Sequence, residues 1–169
     1  MHRFERDDLK LSRPRAFVES RAIRFQDIDA AGIIFYPRVL EMFHDAYGAF
    51  LAFAGCPLPE VLQSGTWLAP VRHAEADYFK PLRFGDLVAV EICRAHLSET
   101  EATLGYRIAR APSGEVCVVG QVVHTFVDRA SFKRMAIPES VRPFSLVRPH
   151  SSKSFPPSSF WTWREAPSP

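Results

Sequence analysis

The sequence has only three cysteines, Cys56, Cys93 and Cys117, far apart and with no CxxC pair. That excludes a zinc knuckle or a dithiol redox pair, and the three read as reduced core thiols. No apolar run approaches the roughly 20 residues needed to span a bilayer. The N-terminal stretch MHRFERDDLKLSRPR has no apolar signal-peptide core, so a cytoplasmic location with no membrane span is expected. Neither sign of charge dominates: the net charge is +2 with both signs interspersed. The basic bias of a nucleic-acid protein is therefore missing. There is no GxGxxG, Walker loop, HExxH or GxSxG, which argues against the corresponding nucleotide, zinc-protease and serine-hydrolase classes. No internal repeat is present.

What remains is a chain of 169 residues, 47% hydrophobic, enough for one domain with a real core. Residues 1–14 read as a polar arm, 15–144 as the domain and 145–169 as a Ser/Pro-rich tail. Phe155, Phe160, Trp161 and Trp163 in the tail read as anchors against the body or a neighbouring subunit. RAFVESRAIRF, 15–25, has strand content. Pro37 suits the first turn of a helix, where its missing N–H costs nothing. From Val39 to Ala54 apolar residues recur at helical spacing, with Gly55 at the C′ position and Pro57 as a stop. This helix is apolar around most of its circumference, so other structure must wrap it.

Four strand patterns follow: TWLAPVRHAEADYFK, then 87–97, 101–110 and 116–129, with Gly120 marking a bulge or kink. In the third, Ala102, Leu104, Tyr106 and Ile108 share one face. Hairpin-length turns favour antiparallel pairing, and IPESVRPF, 137–144, has room for one helical turn. The class is α+β: about five antiparallel strands curved around one long apolar helix. A single sheet of this kind leaves an open edge and a poorly covered face, which a homodimer or homotetramer would close. His73, Glu75 and Asp77 share a strand face but read as solvated polar residues, and no metal site is expected. His96 and His124 read as hydrogen-bonded structural histidines.

The chemistry concentrates in RFQDIDAAGIIFYPRVLEMFHDAYG, 24–48. A helix start leaves backbone N–H groups unpaired and carries about half a positive charge. A carbonyl oxygen resting there is polarised and an oxyanion stabilised. Asp27 and Asp29 just ahead could supply a base or nucleophile, and Gly32 permits close backbone approach. By spacing alone, both acids are better explained as turn or capping residues, since Asp is common ahead of helices.

The segment DIDAAGIIFYPRVLEMFHDA resembles the signature of hot-dog-fold thioesterases of the 4-hydroxybenzoyl-CoA thioesterase and Tol-Pal-associated type. Asp27, Asp29, Ala31-Gly32, Ile33-Ile34-Phe35, Tyr36 and Pro37 match that pattern in order. The similarity continues through APVRHAEADYFKPLRFGDLVAVEI and covers roughly 17–130. It implies a hot-dog fold, hydrolysis of an acyl thioester, no resident cofactor beyond the CoA of the substrate, and a site formed between two subunits. It assigns catalysis to Asp29, loop shaping to Asp27, carbonyl polarisation to the Tyr36 backbone N–H and close substrate passage to Gly32.

His44 and Glu41, further along the helix, are candidates to face the acyl pocket. Phe35, Tyr36, Phe43 and Tyr47 fit either a pocket lining or core packing. Asp29 would attack the carbonyl to form a mixed anhydride or activate water. Where some members carry a basic cluster for CoA phosphates, this chain reads HLSETEAT. The phosphates would then meet Lys80, Arg83, Arg110, Arg129, Lys133 or Arg134, or the acyl carrier would be a protein. Rival readings are an acyl-carrier-protein thioesterase, a non-catalytic acyl-thioester binding protein and a hot-dog dehydratase. The dehydratase lacks its histidine signature here.

Overall fold

Pro37 opens the longest helix of the computed structural model, which describes residues 1–11 and 17–141. The expected tail anchors, Phe155, Phe160, Trp161 and Trp163, lie outside these residues. In chain order the elements are α1 (Arg6–Lys10), β1 (Phe17–Ala22), a 3-10 turn (Phe25–Asp27), α2 (Pro37–Phe53), α3 (Leu58–Ser64), β2 (Trp67–Leu68), β3 (Val71–Tyr78), β4 (Leu87–Leu97), β5 (Glu101–Arg110), β6 (Glu115–Thr125) and β7 (Val127–Asp128). Helix α2 ends as its sequence dictates: the Cys56 N–H returns to the Leu51 carbonyl at 2.9 Å. Gly55 takes the left-handed conformation, φ +81°, that such an end favours.

β1, β4, β5, β6 and β3 form one antiparallel sheet in that spatial order, with β1 and β3 at its edges. Helix α2 fills the concave face. Its buried residues Val39, Met42, Phe43, Ala46, Tyr47, Phe50 and Leu51 go around more than one side, as a wrapped helix requires. The fold is the expected α+β hot-dog arrangement.

On β5, Ala102, Leu104, Tyr106 and Ile108 share one buried face as expected, and the opposite face is covered as well. α2 covers the inner one and residues 1–11 cover the outer one. Leu9 packs there with Cys93, Val119 and Phe4. Gln121 bridges the Phe4 backbone, accepting from its N–H at 2.8 Å and donating to its carbonyl at 3.2 Å. Beneath α1, Arg107 is paired with buried Glu91 at 2.5 Å and also donates to the Lys10 carbonyl.

Two further differences have local causes. The strand expected over 116–129 divides at buried Phe126, whose N–H donates to Thr100. Beyond it, β7 leaves the main sheet and pairs with β2. Gly120 is neither bulge nor kink: it pairs in register with Tyr106 and Ala76, and the register shifts lie elsewhere. Its glycine answers a close approach. A Cβ there would stand 2.4 Å from the Glu75 carbonyl oxygen and 2.6 Å from the Phe43 ring. Of 137–144, the described part holds one turn, closed from Val141 N–H to the Pro138 carbonyl. Cys93 and Cys117 are buried and Cys56 half-buried, all as free thiols.

Gly120→Ala is expected to destabilise the fold by about 1–3 kcal/mol, the usual cost of forced overpacking. Urea unfolding should show a lowered midpoint with an unchanged slope.

Candidate active site

Asp27 and Asp29 stand in different environments although they are two residues apart. Asp27 is 1% exposed. The Arg24 N–H donates to its Oδ2 at 2.8 Å, and the Arg24 guanidinium reaches both carboxylate oxygens at 3.2 Å. Arg38 lies 4.0 Å away. Burial alone would raise the Asp27 carboxyl. Hydrogen bonds and charge from Arg24, with Arg21 beyond, outweigh it and hold the group below its ordinary value. Asp27 is thus a fixed anion that ties the 3-10 turn down.

From Asp27 the chain makes a small hairpin. Phe35 N–H donates to the Asp27 carbonyl at 2.8 Å, Asp29 N–H to Ile33 at 2.9 Å, and Gly32 N–H to Asp29 at 3.0 Å. Ile28 and Ile34 form a bridge between the two arms. Gly32 has φ +74°, which explains glycine at the tip. Asp29 is exposed. Its Oδ1 accepts from the Ala31 N–H at 2.8 Å, and its other oxygen accepts no hydrogen bond among the described residues. The Ile34 N–H donates to the Leu82 carbonyl, fastening the hairpin to the turn between β3 and β4.

The hairpin delivers the chain to the start of α2. Tyr36 is the N-cap residue and Pro37 the first helical one. The Tyr36 carbonyl is engaged by Val39 N–H at 3.2 Å and by the Tyr78 hydroxyl at 2.7 Å. Its own N–H has no acceptor among the described residues. An unpaired amide at the positive end of a 17-residue helix is an oxyanion donor in waiting. Exposed rings pair off in this region of the chain: Phe35 packs against Tyr36, and Phe25 stands edge-on to Phe84.

A recess of about 170 Å³ runs along α2 from its first turn, lined by Leu40, Phe43, His44 and Tyr47 on the helix and by Tyr106 and His124 on the sheet side. His44 is thus at the recess, whereas Glu41 faces Arg38 at 2.5 Å. Asp29 lies outside this lining within one chain. Phe35, expected at the acyl group, is half-exposed beside Tyr36. Of the polar strand residues, His73 hydrogen bonds Glu75 at 3.0 Å, and Glu75 also pairs with Arg3 and Gln121.

The thioesterase-like superfamily profile matches residues 23–144, which spans the hairpin, α2 and the strands just described. The chain belongs to that superfamily. Two curated relatives, both called 1,4-dihydroxy-2-naphthoyl-CoA hydrolase, agree. The one from Rippkaea orientalis is 29% identical over 72% of this chain and 89% of its own. The one from Microcystis aeruginosa is 31% identical over 72% and 87%. Among solved structures, a 1,4-dihydroxy-2-naphthoyl-CoA thioesterase from Synechocystis superposes with a TM-score of 0.74 at 24% identity, covering 80% of this chain and 98% of that one. A gentisyl-coenzyme A thioesterase does so with 0.65 at 27%, covering 74% and 98%. The protein is an acyl-CoA thioesterase.

Two residues of the recess lining, Tyr106 and His124, carry no site motif in the sequence. Tyr106 sits in an apolar strand face and His124 reads as a structural histidine. Both occupy inward positions, since Tyr106 pairs with Gly120, and Ala102 with His124. Phe43 stacks on Tyr106 at 4.5 Å and Tyr47 on His124 at 4.2 Å. The available signal was a histidine at the inward parity of an apolar strand.

Burial pushes the His124 imidazole below its ordinary value; its bond to Ala69 opposes this and nearby His44 adds to it. The unfolded chain therefore binds more protons as pH falls through the imidazole range, so His124 contributes stability above about 6.5 that is lost below it. His96, also lowered by burial and by His2, acts in the same direction. Melting curves should show the thioesterase losing stability from about pH 7.5 to about pH 5.5, either side of the ordinary imidazole value. His124→Asn, which cannot titrate, should lose less.

Proposed function

We propose that this thioesterase hydrolyses an aryl acyl-CoA, with Asp29 as nucleophile or general base and the Tyr36 N–H as oxyanion donor. The observation that carries the reading is the pairing of an exposed, under-bonded carboxylate with an unpaired amide at the start of α2. The acyl class is supported by the aromatic walls of the recess beside that amide and by the naphthoyl-CoA and gentisyl-CoA names of the relatives.

The thioester oxygen would rest on the Tyr36 amide, where the helix dipole and the N–H favour the charge that develops on attack. Along one route an Asp29 oxygen bonds to the carbonyl carbon, the C–S bond breaks and CoA leaves as thiolate. Water then opens the mixed anhydride. Along the other, Asp29 takes a proton from water as that water attacks. A thiolate is a good enough leaving group that neither route requires a strong acid. Gly32 lets the hairpin tip turn without a side chain over the site. Asp27 acts at one remove, as the buried anion that sets the hairpin.

Of the six cations expected near CoA phosphates, Lys80, Arg110 and Arg134 have carboxylate partners and Arg129 donates to the Leu62 carbonyl. Arg83 and Lys133 have no ion-pair partner among the described residues. Arg83 adjoins the turn that fastens the hairpin, which makes it the preferred phosphate contact.

We also propose a homodimer. Among the described residues β3 has no strand on its outer side, and two exposed ring pairs, Phe35 with Tyr36 and Phe25 with Phe84, offer apolar surface to a partner. A second copy on that side would cover this surface and shield the site from water. Light scattering should give at least twice the chain mass; a monomer at working concentration would overturn this assembly.

Asp29→Asn and Asp29→Ala should lower kcat on aryl-CoA thioesters by about 10²–10⁴-fold. Their melting temperatures should stay near wild type, because the side chain is exposed. Unchanged turnover would remove Asp29 from the mechanism. Single turnover in heavy-oxygen water separates the routes: label entering the Asp29 carboxylate identifies the anhydride.

A further inference from the structure

The Tyr36 amide is held from outside its own helix by one short segment. Tyr78 ends β3. The residues after it are fixed to β6, where the Phe79 and Lys80 N–H groups both donate to the Cys117 carbonyl, at 2.8 and 3.2 Å. From this base the segment binds the chain on both sides of the amide. On one side the Leu82 carbonyl accepts from the Ile34 N–H at 2.8 Å. On the other the Tyr78 hydroxyl donates to the Tyr36 carbonyl at 2.7 Å. The Tyr36 N–H lies between these two anchor points.

The second anchor matters because little else fixes the helix start. Among the described residues no side chain caps α2. Pro37, its first residue, has no N–H to give. A proline also biases the residue before it toward extended backbone, whereas Tyr36 is helical, with φ −50° and ψ −37°. Two conformations of Tyr36 therefore compete, and they aim its carbonyl in different directions. In the helical one that carbonyl accepts from the Val39 N–H at 3.2 Å and from the Tyr78 hydroxyl. The Phe35 carbonyl, which shares a planar peptide unit with the Tyr36 N–H, accepts from the Arg38 N–H at 2.9 Å. That bond sets the direction in which the amide points. The Tyr78 hydroxyl thus selects the conformation that aims the amide, and it acts through the carbonyl rather than on the amide itself. A tyrosine hydroxyl keeps its proton well past neutral pH, so the donor is present throughout the working range.

We propose that Tyr78 is a positioning residue for thioester hydrolysis: its hydroxyl holds the start of α2 so that the Tyr36 amide meets the oxyanion. The inference deepens the mechanism proposed above and rests on that amide being the oxyanion donor. Because the Ile34–Leu82 anchor joins backbone groups, it remains when Tyr78 is replaced, and only the helix side is released. The Tyr78 ring is exposed, so removing its hydroxyl leaves the core packing unchanged.

One neutral hydrogen bond shifts a balance between two conformations by about 2- to 10-fold, which sets the size of the effect. In Tyr78→Phe, kcat on benzoyl-CoA should fall by about 3- to 10-fold with KM within about twofold, as for an interaction expressed in the transition state. The melting temperature should stay within about 4 °C of wild type. A role confined to stability would instead lower the melting temperature and leave kcat per folded molecule unchanged.

The deciding readout is spectroscopic. Benzoyl-CoA carrying heavy carbon at its carbonyl is bound to Asp29→Asn, and the carbonyl stretching band is recorded by infrared difference spectroscopy. A carbonyl polarised by the Tyr36 amide absorbs at lower frequency than in free benzoyl-CoA. Adding Tyr78→Phe should return part of the intensity to the free frequency. A lowered band that Tyr78→Phe leaves untouched, or a variant with wild-type kcat, overturns the inference while the oxyanion reading stands. A band at the free frequency with Tyr78 intact shows that the amide polarises no thioester, and the oxyanion reading then fails together with the role built on it.

Discussion

A helix apolar around most of its circumference cannot rest on a surface, and the architecture follows from that constraint. The sheet must curve around α2, and one end of the helix must still emerge where the chain enters it. That end is the N-terminus, with its unpaired amides and partial positive charge. Burying the helix therefore sets an electrophilic spot beside the sheet edge formed by β3. Tyr78, the last residue of β3, donates to the Tyr36 carbonyl and holds the helix start there. The Tyr36 N–H, on the other side of the same residue, has no acceptor among the described residues.

The two acids ahead of the helix show how environment divides roles between identical side chains. Asp27 is surrounded: Arg24 engages both its oxygens, the Arg24 backbone adds a further bond and Arg38 stands near. An anion so fully bonded has little basicity left to offer a substrate. Asp29 has one local bond from Ala31 and an oxygen to spare. Its placement depends on the hairpin that Asp27 and Gly32 shape, so the acid proposed to react sits on a frame built partly by its neighbour.

Much of this was legible in the sequence because the strongest patterns are local. β4 and β5 fall at 87–97 and 101–110, where alternation between turn signals places them. Pro37 and Gly55 bracket α2 for backbone reasons that need no tertiary context. What escaped depends on distant partners. α1, α3, β2 and β7 are too short to be stable alone and exist through what they pack on. Gly120 read as irregular because a glycine in a strand more often marks a bulge; the Phe43 ring that occupies its space is 77 residues away in the chain. The both-sided burial of β5 depends on residues 1–11, whose charged sequence hides the single buried anchor Leu9. Within the site, the loop motif was visible as spacing, whereas the recess was not. Tyr106 and His124 come from different strands, and they line one recess only once β5 and β6 lie side by side.

The site also divides its work. In the proposed mechanism the helix end and Asp29 act on the thioester, a group common to every acyl-CoA, and cannot distinguish one acyl chain from another. Discrimination has to come from the surface that meets the acyl group, the aromatic and apolar recess along α2. A missing or added group in a hydrophobic pocket is worth only about 1–3 kcal/mol. Such a recess therefore selects by shape more than by single contacts, and the Phe43–Tyr106 and Tyr47–His124 stacks set that shape.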